Sequence, residues 1–122
     1  MSGPKIMIVE DEFLIRLTLA EALTDEGFEV VEAANGDEAL SALRDNPGIA
    51  LLLTDIQLPG QLDGVALARA ARQHLPRIPV IFMTGRPDSL SRDATSPGDV
   101  VIAKPYLPSE VCATARRLLG SA

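Results

Sequence analysis

The runs "IMIVEDE", "LLLTD", "IFMTG" and "VVIAKP" share a design: each is an apolar stretch that ends on a group able to do chemistry. The first delivers Glu10 and Asp11, with Glu12 next. The second delivers Asp55, the third Thr84 before Gly85, and the fourth Lys104 before Pro105. A carboxylate at the mouth of an apolar strand is costly unless something pairs with it. Brought to one rim, Glu10, Asp11 and Asp55 would repel one another, which implies a cation or raised pKa values. An all-oxygen donor set without His or Cys fits a hard ion, and partial coordination with retained waters fits Mg²⁺. A phosphoryl group arriving there needs donors and positive charge for its equatorial oxygens, which Thr84 and Lys104 can supply. Asp55 would then be the nucleophile and form an acyl phosphate.

Taken singly, each group has a plainer explanation. An acidic residue after a strand often caps the next helix, and Asp55 could open a turn ahead of Pro59 and Gly60. Thr84 could be a satisfied strand-end hydroxyl, and Lys104 a solvated lysine at a turn. The joint occurrence at four strand ends, in order, is what makes chance a poor explanation.

To converge, these groups need a parallel sheet. Residues 5–9 ("KIMIV"), 28–33 ("FEVVEA"), 49–55 ("IALLLTD"), 78–84 ("IPVIFMT") and 99–104 ("DVVIAK") read as strands. "IALLLTD" is apolar on both faces, as in the middle of a sheet covered by helices on each side. Helical spacing follows each strand except the fourth. From Phe13 to Ala22 the apolar positions are Phe13, Leu14, Leu17, Ala20 and Leu23, with Gly27 as the stop. "NGDEALSALRDNPG" offers a stripe of Ala39, Leu40 and Leu43, and "DGVALARAARQHL" one of Val65, Leu67, Ala68, Ala71 and Leu75. "LPSEVCATARRLL" closes the series with Val111, Ala115, Leu118 and Leu119 inward. The interval 86–97, "RPDSLSRDATSP", is the weak link, with only Leu90 and Ala94 to form a stripe. A parallel sheet needs a crossover there, so a short, marginal helix or a mobile segment is expected. The alternation predicts a doubly wound α/β sandwich. Such sheets bind ligands outside the carboxyl ends of the strands, at the switch in strand order.

Composition removes several function classes. The chain has 122 residues, enough for one domain with a single core. With 47% hydrophobic and 23% charged residues it has the make-up of a globular protein. Aromatics are 3% and Trp is absent, so the core must be Leu, Val, Ile and Ala. A net charge of −6 with scattered Lys and Arg lacks the footprint of a nucleic-acid binder. The single cysteine, Cys112, allows no intramolecular disulfide and fits a reducing interior. "MSGPKIMIVEDE" lacks the design of a signal peptide, and the longest apolar run, "IALLL", falls far below the ~20 residues of a membrane span. A cytoplasmic location is expected.

The motifs "IVEDE" (8–12), "LLTDIQLPG" (52–60), "DG" (63–64), "FMTG" (82–85) and "AKPY" (103–106) together resemble the receiver domain of two-component response regulators. The resemblance runs from residue 5 to about 119, so 1–122 is expected to be one receiver domain. It implies the flavodoxin-like receiver fold: a five-stranded parallel sheet with helices on both faces and strand order 2-1-3-4-5. By the same resemblance Asp55 matches the phosphoacceptor and Asp11 a direct Mg²⁺ ligand. Glu10 matches the acidic neighbour that acts through a water, and the Gln57 backbone carbonyl the third protein ligand. Thr84 matches the switch hydroxyl and Lys104 the ammonium that pairs with the phosphoryl group. The implied donor is a phosphohistidine on a sensor histidine kinase or a histidine phosphotransfer protein. The implied output is a contact with a downstream protein, or service as a phosphate shuttle or sink, without an enzyme's turnover of separate substrates.

Departures from the family pattern are equally informative. Val101 stands where an aromatic switch residue is common, and Gly85 where many receivers have Ala. "FMTGRP" is similar to a subclass of mostly single-domain receivers with a Phe-Ala-Thr-Gly motif, no aromatic switch and an irregular fourth crossover. The loop "LPGQLDG" is one residue longer than the commonest receiver spacing. The switch is therefore expected to run through Thr84 and the segment after it. Arg86 could overhang the site or be solvated. His74, the one histidine, lies at a helix end, where His commonly caps carbonyls, and is not promoted to a phosphoryl carrier. Two other readings compete. One is a receiver-like scaffold that is never phosphorylated. The other is a Mg²⁺-dependent phosphohydrolase, disfavoured because Gln57 stands where its general acid would be.

Overall fold

The computed structural model describes residues 3–90 and 95–120. Its elements follow the alternation: β1 (Lys5–Val9), α1 (Phe13–Asp25), β2 (Glu29–Ala33), α2 (Gly36–Asp45), β3 (Ile49–Asp55), α3 (Gly64–His74), β4 (Val80–Thr84), β5 (Val100–Ala103) and α4 (Pro108–Leu118). All neighbouring strands are parallel, in the order β2-β1-β3-β4-β5. The doubly wound sandwich expected from the sequence is the one found.

Period two decides which helix layer each strand residue meets. Ile6 and Ile8, Leu51 and Leu53, Ile81 and Met83, and Ile102 join Leu19, Leu23, Val111 and Ala115 in a core under α1 and α4. Met7 and Val9, Leu52, Val80 and Phe82 join Ala39, Leu43, Leu67 and Ala71 in a second core under α2 and α3. Cys112 is buried among the first set.

Local chemistry sets the helix starts. Asn35 accepts the Glu38 N–H at 2.9 Å, while the Glu38 carboxylate accepts the Ala34 N–H at 3.1 Å. Each satisfies a donor that the helix itself cannot. Asp63 does the same for α3, accepting the Ala66 N–H at 2.8 Å. Gly27, at φ +96°, ends the α1 connection in the left-handed region, as the stop signal predicted.

Helix α1 departs from its expected stripe. Leu19, Ala20 and Leu23 are buried and Ile15 packs against them, but Phe13 is 60% and Leu14 73% exposed. Both sit in the first turn, at the rim where β1 has already ended and no strand remains to cover them. The fourth crossover carries a single 3₁₀ turn, Pro87–Ser89, among its described residues. Residues 91–94, including the expected stripe position Ala94, lie outside the described residues. Arg72 on α3 fastens the far end of this crossover, pairing with Asp99 and donating to Ser96 Oγ at 3.2 Å.

Candidate functional site

The same period two that builds the core brings the charged groups together. Ile8, Leu53 and Ile102 face α1 and α4, so the residues two further on, Glu10, Asp55 and Lys104, leave the sheet on that side. Phe82 faces the other core, and Thr84 follows it to the α2/α3 side.

Lys104 Nζ donates to Asp55 Oδ2 at 2.6 Å and lies 3.9 Å from Glu10 Oε1. Carboxylate oxygens of Glu10, Asp11 and Asp55 all lie within 4.8 Å of one another. Glu10 and Asp55 are buried, whereas Asp11 faces solvent. The loop after β3 returns to the site, with the Gln57 N–H donating to Asp55 Oδ1 at 3.2 Å. Thr84 Oγ1 is buried too and accepts the Arg86 N–H at 3.0 Å. Every residue expected at the site therefore lies at this rim, with Thr84 on its far side.

Burial pushes the Glu10 carboxyl up to about 7, against the Glu12 N–H that favours its ionised form. The charge of Asp55 adds to the rise. Burial alone would lower the Lys104 ammonium, but its hydrogen bond and charge pairing with Asp55 win, and its pKa is raised. Tyr106 is pushed up to about 12 by burial, with the charges of Glu10 and Asp55 contributing. Among the described residues, its hydroxyl and Glu10 Oε1 are buried without a hydrogen-bond partner. Buried carboxylate oxygens are seldom left so. A Glu10 oxygen that lacks a hydrogen bond, beside two more carboxylates in an all-oxygen set, fits a hard divalent cation.

Gly64 has a role that its place in "DG" does not reveal. Its N–H donates to the Ile56 carbonyl at 2.7 Å. A Cβ there would collide with the Asp55 carbonyl oxygen and come within 2.8 Å of the Ile56 Cα. Only glycine lets α3 start this close to the strand end that carries Asp55. Tyr106, the last residue of "AKPY", has no role that the motif alone assigns. It lines an apolar groove of about 540 Å³ with Ile15, Leu19, Lys104, Pro105 and Pro108, so the groove and the site share Lys104.

The remaining candidates lie outside this cluster. His74 is exposed at the far end of α3, beside Ile49 at the start of β3 and thus at the opposite rim from Asp55. Val101 packs into the α2/α3 core and offers no aromatic ring to move. Arg86 is exposed and adjoins Thr84 through its backbone N–H.

Residues 6–116 match the family model described as the response regulator receiver domain. The chain is 37% identical over 122 residues to the aerobic respiration control protein ArcA of Escherichia coli (strain K12), covering 98% of this chain and 50% of that protein. It is also 37% identical to the transcriptional regulatory protein SrrA of Staphylococcus aureus (strain NCTC 8325 / PS 47), covering 94% of this chain and 47% of SrrA. It thus spans about half the length of these curated relatives. Among solved structures, the receiver domain of NtrX from Brucella abortus superposes with a TM-score of 0.83 at 33% identity, covering 96% of this chain and 99% of that one. No helix among the described residues is long and apolar enough to cross a membrane. A parallel sheet in receiver order, an acidic rim with a lysine across it, and a family match over nearly the whole chain agree: the chain belongs to the response regulator receiver domains, the phosphoacceptor modules of two-component signalling.

Proposed function

We propose that Asp55 accepts a phosphoryl group from the phosphohistidine of a sensor histidine kinase or a histidine phosphotransfer protein. The observation that carries this reading is the Lys104 ammonium on Asp55 at 2.6 Å, beside the buried Glu10 Oε1, which accepts no hydrogen bond among the described residues. An Asp55 oxygen attacks phosphorus as the bond from phosphorus to the donor's imidazole nitrogen breaks, and the electron pair returns to the ring. Lys104 neutralises charge on the incoming group, and its contact with Asp55 orients the carboxylate. Glu10, Asp11, Asp55 and the Gln57 carbonyl are the groups that would hold Mg²⁺. When bound, the ion supplies charge to the phosphoryl oxygens and relieves the repulsion among the carboxylates.

Output follows from Thr84. In this reading its hydroxyl leaves the Arg86 N–H for the phosphoryl oxygens, and the crossover after β4 reorganises. Ordering a segment is a common way for a local charge event to remodel a binding surface. Receiver domains engage histidine kinases and downstream proteins in general. For this chain we assign the donor's contact to the exposed Phe13, Leu14 and Leu107, because the groove beside them reaches Lys104. The unpaired Cys112 fits a reducing compartment, and a cytoplasmic location belongs to the same reading. The domain is a signalling module whose only chemistry is on its own Asp55.

The test is intact mass after incubation with acetyl phosphate and Mg²⁺, beside Asp55→Asn. One added phosphoryl group in the wild type alone is expected. Equal uptake by Asp55→Asn would place the acceptor elsewhere. No uptake by a folded, Mg²⁺-binding wild type, from acetyl phosphate or any phosphohistidine donor, would favour the scaffold reading.

A further inference from the structure

Arg16 has no part in the chemistry above, yet it holds the loop that carries the carboxylates. Its Nη1 donates to the Glu10 backbone oxygen at 2.7 Å, and its Nε donates to Glu32 Oε1 at 3.2 Å. Its guanidinium carbon lies 5.6 Å from the centre of the Phe13 ring, within the range of a cation–π contact. Arg16 belongs to α1, Glu32 to β2, and Glu10 to the turn after β1, so one planar group ties three elements. Two further hydrogen bonds fasten that turn. The Glu10 N–H donates to the Ala33 carbonyl at 3.1 Å, and the Glu12 N–H to Glu10 Oε2 at 3.0 Å.

The need for such a clamp is electrostatic. Glu10, Asp11 and Glu12 are consecutive, and Asp55 faces them across the rim. Like charges this close push the turn open unless something fixed opposes them. Arg16 adds a compensating cation outside the pocket and occupies a carbonyl that would otherwise turn toward water. Its rigid fork serves the Glu10 carbonyl and Glu32 together, which a lysine's single ammonium on a flexible stem does less well.

We propose that Arg16 is a positioning residue for divalent-cation binding: by holding the Glu10 carbonyl, it keeps the Glu10 and Asp11 carboxylates within reach of Asp55. Glu32 orients Arg16 and shares in the effect. The inference rests on the acidic rim being the Mg²⁺ site.

Calorimetric Mg²⁺ titration of the wild type, Arg16→Ala, Arg16→Lys and Glu32→Gln tests it, with Leu43→Ala as a control for stability alone. Leu43 lies on α2, its side chain buried in the α2/α3 core on the other side of the sheet from Glu10, Asp55 and Lys104. Residues that hold metal ligands in place commonly govern affinity by roughly 10-fold or more. Arg16→Ala is expected to weaken Mg²⁺ binding by about 10-fold, with Arg16→Lys and Glu32→Gln in between and Leu43→Ala unchanged. Phosphorylation by acetyl phosphate should need correspondingly more Mg²⁺ in Arg16→Ala, yet reach the wild-type maximal rate at saturation. Wild-type affinity in Arg16→Ala overturns the inference, as does an equal loss in Leu43→Ala, which would mark the effect as destabilisation. A wild type that takes up no Mg²⁺ brings down the metal-site reading itself, and this inference with it.

Discussion

The two sides of the sheet end differently at the same rim. On the α1/α4 side, Glu10, Asp55 and Lys104 meet in a web of short contacts, and the turn after β1 is fastened by Arg16 and Ala33. On the α2/α3 side, β4 ends on Thr84, whose hydroxyl accepts the neighbouring Arg86 backbone N–H before the chain enters a 3₁₀ turn. The residue that could have coupled this side to a ring movement is Val101, already packed into the core. In the proposed reading, the α1/α4 side holds charge in place and the α2/α3 side responds to it. Stability is rarely uniform across a fold, and moving parts come from its weakly packed end.

That division can be broken by substitution. The largest effect is expected for Lys104→Ala, which leaves the buried Asp55 and Glu10 without their ammonium. Removing a fixed electrostatic donor commonly costs about 100-fold in rate, so phosphorylation by acetyl phosphate should fall by that order in an intact-mass time course. A rate within a few-fold of wild type would show that the α1/α4 web is not what drives the chemistry. Thr84→Ala should do much less to the rate, about 5-fold for a single neutral hydrogen bond. It should, however, abolish any phosphorylation-dependent change in amide exchange at residues 86–90 and 95–99. If that change survives in Thr84→Ala, the two sides are coupled by another route.

Leu14→Ala sharpens the comparison from outside. Leu14 is 73% exposed and contributes little to the core. Phosphorylation by acetyl phosphate and thermal stability should stay unchanged. Transfer from a phosphohistidine donor protein should slow by roughly 3- to 10-fold, the scale expected when one apolar side chain is truncated at an interface. An unchanged transfer rate would remove Leu14 from the donor's footprint. A separate effect, on stability, comes from Glu10, pushed by burial from an ordinary 4.5 to about 7. Between those values the folded, metal-free protein holds a proton that the unfolded chain has released. Stability is therefore full below 4.5 and falls as pH rises toward 7. Chemical denaturation in EDTA across this window should show the decline, and Glu10→Gln should flatten it. A flat wild-type profile would mean that the carboxyl is better solvated than its burial implies.

The strands were the most legible part of the fold. Apolar runs ending in a polar or charged group located β1, β3 and β4 to within two residues, because a central parallel strand is apolar on both faces and has to stop where the core stops. Glu10, Asp11, Asp55, Thr84 and Lys104 could be picked out for the same reason: a costly group at a strand mouth is conspicuous. The stripe of α1 was misread at Phe13 and Leu14. Helical spacing reports which residues share a face, not where along the helix the sheet runs out. The close-packing role of Gly64 was not legible in its "DG" motif, and Arg16 carried no local signal, because each is defined by what lies across from it.

The sequence alone determined that the chain folds as alternating strands and helices around a Leu, Ile and Val core, with carboxylates, a hydroxyl and an ammonium at successive strand ends. Hydrophobic period and turn chemistry are local properties, written residue by residue. The tertiary structure decided that Lys104 meets Asp55 across 49 positions of chain, that Thr84 stands on the opposite side, and that Arg16 clamps the acidic turn. Those are products of strand order and register, which emerge only when segments far apart in the chain bury their faces against one another.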